Sequence, residues 1–177
     1  DASASTHRGH AHTLAKGADF GRTRAEILGR ATGYCGGKGG SMHIGAKEIG
    51  VLGTNGIVGA GIGLATGAAL ASKQLGDGTV AVSYFGDGAS NQGVLAEAFN
   101  LAAIWKLPVI FVLENNHYAQ SASIDDMVAQ PDLSRRDEAY GVPSVNANGM
   151  DLEEVYRVAS DAVARARAGE GPSFLVL

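Results

Sequence analysis

Two polar stretches, each directly behind an apolar run, carry the residues best suited to chemistry. The stretch "FGDGASNQG" (85–93) follows "TVAVSY", and the stretch "ENNHYAQS" (114–121) follows "PVIFVL". Asp87 offers a carboxylate and Asn116 an amide oxygen, and a hard cation such as Mg²⁺ accepts both as ligands. A cation site of this kind requires the fold to bring the two side chains together.

The segment between the two stretches predicts such an arrangement. "TVAVSYF" and "PVIFVLE" are short apolar runs typical of buried strands, and residues 91–105 carry apolar side chains at helical spacing. A strand, a helix and a second strand in this order form a crossover, so both parallel strands end at the same edge of the sheet, where ligands bind. We therefore expect Asp87 and Asn116 to face one point, with a backbone carbonyl, phosphate oxygens and water completing an oxygen-only Mg²⁺ site.

The glycines beside Asp87 are compatible with two interpretations. Gly86 and Gly88 would let the backbone turn tightly and let a ligand come close. A carboxylate in this place could instead cap the following helix, which requires no ligand. The tripeptide alone does not separate a ligand site from a helix cap.

The rest of the chain predicts an α/β fold. A long helix of small apolar residues is predicted over 57–76, ending at Gly76, and an amphipathic helix over 151–169, with Asp151 as N-cap and Gly169 at its end. The run "SFLVL" is the next strand. Continuous apolar strands that alternate with helices predict a parallel sheet with helices on both faces. With no internal repeat and no second core, the prediction is one domain over 1–177.

The first 56 residues are expected to be loop-rich, with the α/β core in 57–177. Residues 1–50 are predicted to be irregular apart from one short helix in "FGRTRAEILGRATG" (20–33). The stretch "GYCGGKGGSMHIG" (33–45) has too many glycines for regular structure and is predicted to be a loop. It is either a flexible linker or a segment that docks through Met42, His43 and Ile44.

The composition of the chain argues against several classes of protein. The net charge of −4 argues against a duplex nucleic-acid binder, which usually shows a basic face. No uninterrupted apolar stretch reaches the roughly 18 residues of a membrane span, and no signal peptide is expected. The single cysteine, Cys35, excludes an internal disulfide, fits a reducing compartment and is expected to be a plain small apolar residue. Asp1 is not a translation start and the chain stops inside an apolar run, so it is expected to be part of a longer polypeptide, truncated at both ends.

The spacing of the two polar stretches resembles a known signature. "GDG", then 26 residues (89–114), then "NN" is similar to the thiamine diphosphate motif. Longer matching text, "HRGH", "GKGGSMHI", "NGIVGAGIGL" and "EAFNLAAIWKLPVIFVLENNHYA", resembles the α subunit of the 2-oxo acid dehydrogenases, the thiamine-dependent first components of the pyruvate, branched-chain and acetoin dehydrogenase complexes. "HRGHAHTLAKG" resembles the acetoin branch more than the animal pyruvate branch. The resemblance covers nearly the whole chain and implies the thiamine diphosphate-binding fold.

The resemblance implies which residues hold the cofactor, with the segment 1–56 contacting it. These residues are His7, Arg8, Gly56, Val58, Asp87, Gly88, Ala89, Asn116 and Tyr118. Asp87, the side-chain oxygen of Asn116 and the backbone carbonyl of Tyr118 would bind Mg²⁺. Arg8 would pair with the diphosphate, where a forked guanidinium suits two oxygens. Val58 would be the apolar wedge that bends thiamine.

The resemblance also implies further contacts to the cofactor. His7 occupies the position next to the diphosphate-binding arginine, and Gly88 and Ala89 would offer backbone contacts to the diphosphate. Gly56 would meet the pyrimidine ring. The helix that starts near Asn91 should point its N-terminus towards the phosphates.

Several of these residues also have simpler explanations. Arg8 could form a surface ion pair, and Val58 could be ordinary core packing. The residues His10, His12 and His43 are each expected to be loop histidines rather than catalysts.

The activity implied by the resemblance is cleavage of a 2-oxo acid such as pyruvate, or of acetoin, with the acyl fragment passing to a lipoyl group on an acyltransferase partner. The family takes the glutamate that activates the pyrimidine from a β subunit, and nothing here replaces it, because Glu97 and Glu114 lie in a predicted helix and strand. A catalytic histidine is expected beyond residue 177. The implied assembly is an α2β2 heterotetramer in a bacterial cytoplasm, and this chain alone would be inactive.

Two other functions stay open. One is another thiamine enzyme, of the transketolase or 2-oxo acid decarboxylase type, although "EAFNLAAIWKLPVIFV" argues against it. The other is a non-catalytic interaction subunit that keeps the fold without turnover. The intact pair of Asp87 and Asn116 favours at least cofactor binding.

Overall fold

The computed structural model describes all residues from 1 to 177 and contains a six-stranded sheet with order β2-β1-β3-β4-β8-β7. Its strands are β1 (Ala2–Thr6), β2 (Val51–Asn55), β3 (Ala81–Gly86), β4 (Val109–Glu114), β7 (Ser144–Asn146) and β8 (Ser173–Val176). Every neighbouring pair is parallel. Two further strands, β5 (Tyr118–Ala119) and β6 (Ala122–Ser123), form a small antiparallel pair.

Helices cover both faces of the sheet. They are α1 (His10–Ala15), α2 (Phe20–Ile27), α3 (Ala60–Leu75), α4 (Gly93–Ile104), α5 (Ile124–Met127) and α6 (Leu152–Arg167). Helices α3 and α4 share a cluster of 20 buried apolar residues with one face, while α6 packs in a second cluster with the other face. The predicted α/β class is therefore confirmed. None of the helices combines the length and apolar character needed to cross a membrane.

The predicted helix ends are largely confirmed. Gly76 ends α3 in the left-handed conformation, with φ of 67°. The Asp151 carboxylate accepts hydrogen bonds from the backbone N–H groups of Glu153 (3.0 Å) and Glu154 (3.1 Å), as an N-cap does. The helix predicted over 57–76 begins only at Ala60, since residues 57–59 form a turn.

The expectation that residues 1–50 are irregular apart from one short helix is wrong for β1 and α1, and the strands β2 and β7 were also missed. Strand β1 lies inside the sheet, between β2 and β3, although its sequence "ASAST" has no apolar run. Its small side chains let α3 approach closely, because a Cβ at Gly61 would lie 3.6 Å from the Ser5 carbonyl oxygen and 3.7 Å from the Ala4 Cβ. A strand buried by small residues leaves no hydrophobic signal in the sequence.

Phe99 of α4 is central to the larger cluster. Its side chain is fully buried, and its ring centroid lies 4.9 Å from that of Phe111 and 5.1 Å from that of Phe174. We expect Phe99→Ala to lower the free energy of unfolding by about 3–5 kcal/mol, measured by urea denaturation. The control Leu101→Ala, at a partly exposed position of the same helix, should lower it by less than about 1 kcal/mol. A similar loss in both variants would contradict this placement of the core.

Candidate cofactor site

A cavity of about 680 Å³ lies at the carboxyl ends of four neighbouring strands. Its lining includes the last residues of β1, β2, β3 and β4, which are Thr6, Asn55, Gly86 and Glu114. Ligands of open parallel sheets bind at this edge. The lining also contains every sequence-predicted site residue except Gly56, namely His7, Arg8, Val58, Asp87, Gly88, Ala89, Asn116 and Tyr118.

Asp87 is a buried carboxylate without a partner in the protein. It is only 5% exposed, its side chain makes no capping hydrogen bond to the 3₁₀ turn Gly88–Asn91, and no ion pair of the chain includes it. Only its backbone carbonyl is engaged, by the Ser90 hydroxyl at 2.6 Å. The helix-cap interpretation is therefore wrong. Asp87 lines the cavity, so its carboxylate, which has no partner within the chain, is available to a bound cation.

Asp87 follows β3, and Asn116 lies in a strained loop after the neighbouring strand β4. Its side-chain oxygen accepts a hydrogen bond from the backbone N–H of Tyr118 at 3.1 Å. His117 and Gln120 take φ angles of 66° and 58°, which residues other than glycine rarely adopt. Backbone strain of this kind concentrates at functional sites, where the surroundings hold it in place.

Gly88 allows the two loops to meet. A Cβ at Gly88 would lie 2.6 Å from the Cβ of Ala119, so a side chain would push the turn after β3 away from the loop after β4. Neither Gly86 nor Gly88 has a positive φ angle. The backbone angles of this turn therefore do not require glycine, and for Gly88 the reason is its close approach to Ala119.

The turn after β3 differs from the prediction in one detail. Helix α4 begins at Gly93, behind the short 3₁₀ turn, rather than near Asn91. The side-chain oxygen of Asn91 accepts a hydrogen bond from Nη2 of Arg136 at 2.6 Å. This contact ties the turn to the loop that precedes β7.

The simpler explanations for Arg8 and Val58 do not hold. The Arg8 side chain is exposed, lines the cavity and forms no ion pair within the chain. Val58 is 52% exposed at the cavity wall, so it is not a core residue. Gly56 lies between Asn55 and Ile57, which both line the cavity.

A group of residues that the sequence analysis missed forms one side of the cavity. His12 lies with Nδ1 2.7 Å from the Ser5 hydroxyl and Nε2 3.0 Å from the Glu114 carboxylate. Its ring stacks on that of Tyr84, with centroids 4.0 Å apart. Burial and the charge of Glu114 raise the pKa of Tyr84. Because both imidazole nitrogens are occupied, His12 holds Glu114 in place.

Two signals could have pointed to this group. His12 lies four residues after Arg8 in the stretch "HRGHAH", and Glu114 directly precedes the two asparagines. The expectation of loop histidines is wrong for His10 and His12, which both lie in α1, although both have hydrogen-bond partners. The His10 Nε2 lies 2.6 Å from the Ser41 carbonyl oxygen.

The donors at the cavity suit a hard cation. No group of three or more His, Cys, Asp or Glu side chains is arranged to hold a metal ion. One buried carboxylate, an amide oxygen and backbone carbonyls are the oxygen ligands that Mg²⁺ takes together with water and phosphate. The residues present therefore fit a Mg²⁺–diphosphate group.

Comparisons with known proteins agree with this geometry. The family model described as "Dehydrogenase E1 component" matches residues 1–177. The chain is 50% identical to the α subunit of acetoin:2,6-dichlorophenolindophenol oxidoreductase from Bacillus subtilis (strain 168), over 99% of the chain and 53% of that protein. It is 46% identical to the pyruvate dehydrogenase E1 component α subunit from Rhizobium meliloti (strain 1021), over 96% of the chain and 49% of that protein.

A solved structure gives the same fold. It is described as a putative thiamin diphosphate-dependent enzyme from Mycobacterium smegmatis, and it aligns with a TM-score of 0.55 and 24% identity over 73% of the chain and 23% of its own length. The chain spans about half the length of the curated relatives it matches. Since the family model covers every residue, this chain belongs to the dehydrogenase E1 component family.

Proposed function

We propose that the cavity binds thiamine diphosphate through Mg²⁺, with Asp87, Asn116 and the backbone carbonyl of Tyr118 as protein ligands. One observation carries the proposal: the Asp87 side chain lines the cavity at the sheet edge and makes no capping hydrogen bond and no ion pair within the chain. When bound, the cofactor supplies the carbon nucleophile for cleavage next to a carbonyl group. The residues of this chain bind and orient it.

Other residues of the cavity have separate roles in binding the cofactor. Arg8, which has no partner within the chain, neutralises the diphosphate charge, with His7 beside it. Gly88 and Ala89 offer backbone contacts to the same group, because glycine at 88 lets the two loops close over it. Val58 supports the bent cofactor, next to Gly56 at the pyrimidine.

For the whole protein we propose the role of an α subunit. It would act with a β subunit, as an α2β2 heterotetramer, on acetoin or on a 2-oxo acid such as pyruvate, and pass the acyl group to a lipoyl-bearing acyltransferase. The names of the two relatives support this pair of substrates. The β subunit would supply the glutamate, and the segment beyond residue 177 would supply the histidine. The bacterial relatives favour a bacterial cytoplasm as the location.

Exposed apolar side chains support a partner subunit. Helices α3 and α4 pack together and leave large apolar residues uncovered, among them Leu64 (48% exposed), Ile104 (65%) and Trp105 (43%). Ile57, at the cavity wall, is 70% exposed. Large apolar side chains left uncovered in this way are available to an interface with a partner subunit.

The experiment is reconstitution of the full-length chain with its β subunit. Turnover of pyruvate, branched 2-oxo acids and acetoin is measured with 2,6-dichlorophenolindophenol as electron acceptor, with and without thiamine diphosphate and Mg²⁺. We expect turnover of at least one substrate that requires both additions, and none from the chain alone. Cofactor binding without turnover of any substrate would favour the non-catalytic subunit instead.

Val58 tests the orientation of the cofactor. We expect Val58→Ala to lower kcat of the reconstituted enzyme about tenfold, because a small misplacement of reacting groups is costly, while the Kd of thiamine diphosphate changes less than about threefold. Val145→Ala, on the half-exposed strand β7, serves as the control. Equal kcat in Val58→Ala and wild type would rule out the wedge role.

A further inference from the structure

Glu26 is a fully buried carboxylate that the proposed chemistry does not use. It lies in α2 and accepts four backbone hydrogen bonds from one loop. Oε2 is bonded by the N–H groups of Cys35 (2.7 Å) and Gly37 (2.8 Å), and Oε1 by those of Gly39 (2.7 Å) and Gly40 (3.3 Å). Burial alone would raise the pKa of Glu26, but the four hydrogen bonds together lower it, so the group is anionic at neutral pH.

Residues 33–45 are here called the glycine loop. Their glycines let the backbone fold around the Glu26 carboxylate. A Cβ at Gly33 would lie 2.4 Å from Oε2 of Glu26, and a Cβ at Gly39 would lie 2.0 Å from the carbonyl oxygen of His43. Any side chain at these two positions would displace the backbone. The interpretation of this segment as a flexible linker is wrong, because the segment is folded around a single charge.

The far end of the glycine loop is clamped to β2 next to the cavity. The Thr54 hydroxyl donates to the carbonyl of Met42 (2.7 Å) and accepts from the N–H of Ile44 (2.8 Å). Between these, the imidazole of His43 packs on Gly56, with Cε1 3.3 Å from the position of a Cβ there. The loop therefore supports the turn 55–59 from behind, and that turn carries Val58.

The glycine loop also contacts the segment that carries Arg8, through a residue outside the cavity lining. The Ser41 carbonyl oxygen lies 2.6 Å from Nε2 of His10, which stands two residues after Arg8. One loop thus contacts both segments from the N-terminal part of the chain that line the cavity. Neither Glu26 nor His43 lies in the cavity lining itself.

We propose that Glu26 is a positioning residue for the cofactor cavity: its four hydrogen bonds fix the glycine loop, and the loop holds Gly56, Val58 and Arg8 in their binding positions. This inference rests on the proposed function, because it takes the cavity as a thiamine diphosphate site. The carboxylate acts through the loop and does not touch the ligand.

The first measurement is thiamine diphosphate affinity, by calorimetric titration in Mg²⁺ with the full-length chain assembled with its β subunit. Glu26→Gln keeps the shape of the side chain but places an amide N–H₂ against N–H donors. We expect its Kd to rise about tenfold. Val158→Ala is the matched control, because Val158 is a buried residue of α6 in the other apolar cluster. At a similar loss of thermal stability, its Kd should stay within about twofold of wild type.

The second measurement needs no cofactor. Cys35 is the only cysteine of the 177 residues, and its Sγ lies 3.4 Å from the carbonyl oxygen of His43. Its rate of alkylation, followed by mass spectrometry of the Cys35 peptide, therefore reports whether the loop is fixed. We expect alkylation to be at least about tenfold faster in Glu26→Gln and unchanged in Val158→Ala. Thr54→Val releases the far end of the loop with Glu26 intact, so it should change both readouts in the same direction even if Glu26→Gln fails to fold.

The two readouts separate the failure of this inference from that of the proposed function. Wild type that binds no thiamine diphosphate overturns the proposed function, whatever the alkylation rates are. If wild type binds the cofactor, the inference is overturned when the substitutions at Glu26 and Thr54 leave Kd unchanged. It is also overturned when Val158→Ala raises Kd as much as they do, because the effect then reflects global stability.

Discussion

Asp87→Ala is expected to weaken Mg²⁺-dependent thiamine diphosphate binding by at least about 100-fold, since the only carboxylate among the proposed ligands is lost. The fold should remain, because the Asp87 side chain makes no hydrogen bond or ion pair within the protein. Without cofactor, the variant should be about as stable as wild type, because no side-chain hydrogen bond or ion pair is removed. Calorimetric titration and thermal unfolding measure the two effects.

The controls for this experiment lie in the same region. Asp126→Ala removes an exposed carboxylate in the short helix α5 and should bind the cofactor like wild type. Asn116→Leu should resemble Asp87→Ala in losing affinity. Cofactor binding by Asp87→Ala at wild-type affinity would disprove the metal assignment.

Glu26→Ala should have the largest effect on stability among the polar residues. The substitution leaves four partly buried N–H groups of the glycine loop without the Glu26 acceptor. Hydrogen bonds to a charged group are among the stronger ones, so we expect the loss of all four to lower the free energy of unfolding by at least about 3 kcal/mol, measured by urea denaturation at pH 7. Glu153→Ala, at an exposed position in the first turn of α6, should change it by less than about 0.5 kcal/mol. A small change in the unfolding free energy of Glu26→Ala would contradict this prediction, because it would show that water replaces the carboxylate at the four N–H groups.

The same carboxylate predicts a pH dependence with a definite sign. Hydrogen bonds lower the pKa of Glu26 in the folded protein below its ordinary value of 4.5. Its contribution to stability is therefore fully present above the unfolded pKa and is lost as the pH falls through the lower folded pKa. The stability difference between wild type and Glu26→Gln should be constant from pH 7 to about 5.5 and should shrink below about pH 4.5. A difference that grows towards acid pH would contradict an anionic Glu26.

The parts of the fold that follow from the sequence are those with large apolar side chains. Strands β3 and β4 and helix α4 bury residues such as Phe85, Phe111 and Phe99, whose spacing indicates the element directly. Strand β1 gives no such signal, because Ser3 and Ser5 are buried through small size and close helix packing. Its place between β2 and β3 depends on contacts distant in sequence.

The candidate site divides in the same way. Asp87 and Asn116 could be placed together from the crossover alone, because parallel strands end at one edge. The contact between His12 and Glu114 could not be predicted, because the two residues are 102 positions apart. No local pattern gives the orientation of the helix that carries His12. The role of Glu26 could not be predicted from the sequence either, because its partners are backbone N–H groups, which every residue but proline carries.

The most direct test of the metal-bound cofactor is a crystal structure of the full-length chain with its β subunit, thiamine diphosphate and Mn²⁺ in place of Mg²⁺. Anomalous scattering locates the manganese ion independently of any assumption about its ligands. We expect one peak for each α chain, within about 2.3 Å of oxygens from Asp87, Asn116 and the Tyr118 backbone, with diphosphate and water oxygens completing the octahedron. A diphosphate bound elsewhere, or a manganese peak without the Asp87 carboxylate among its ligands, would contradict the account.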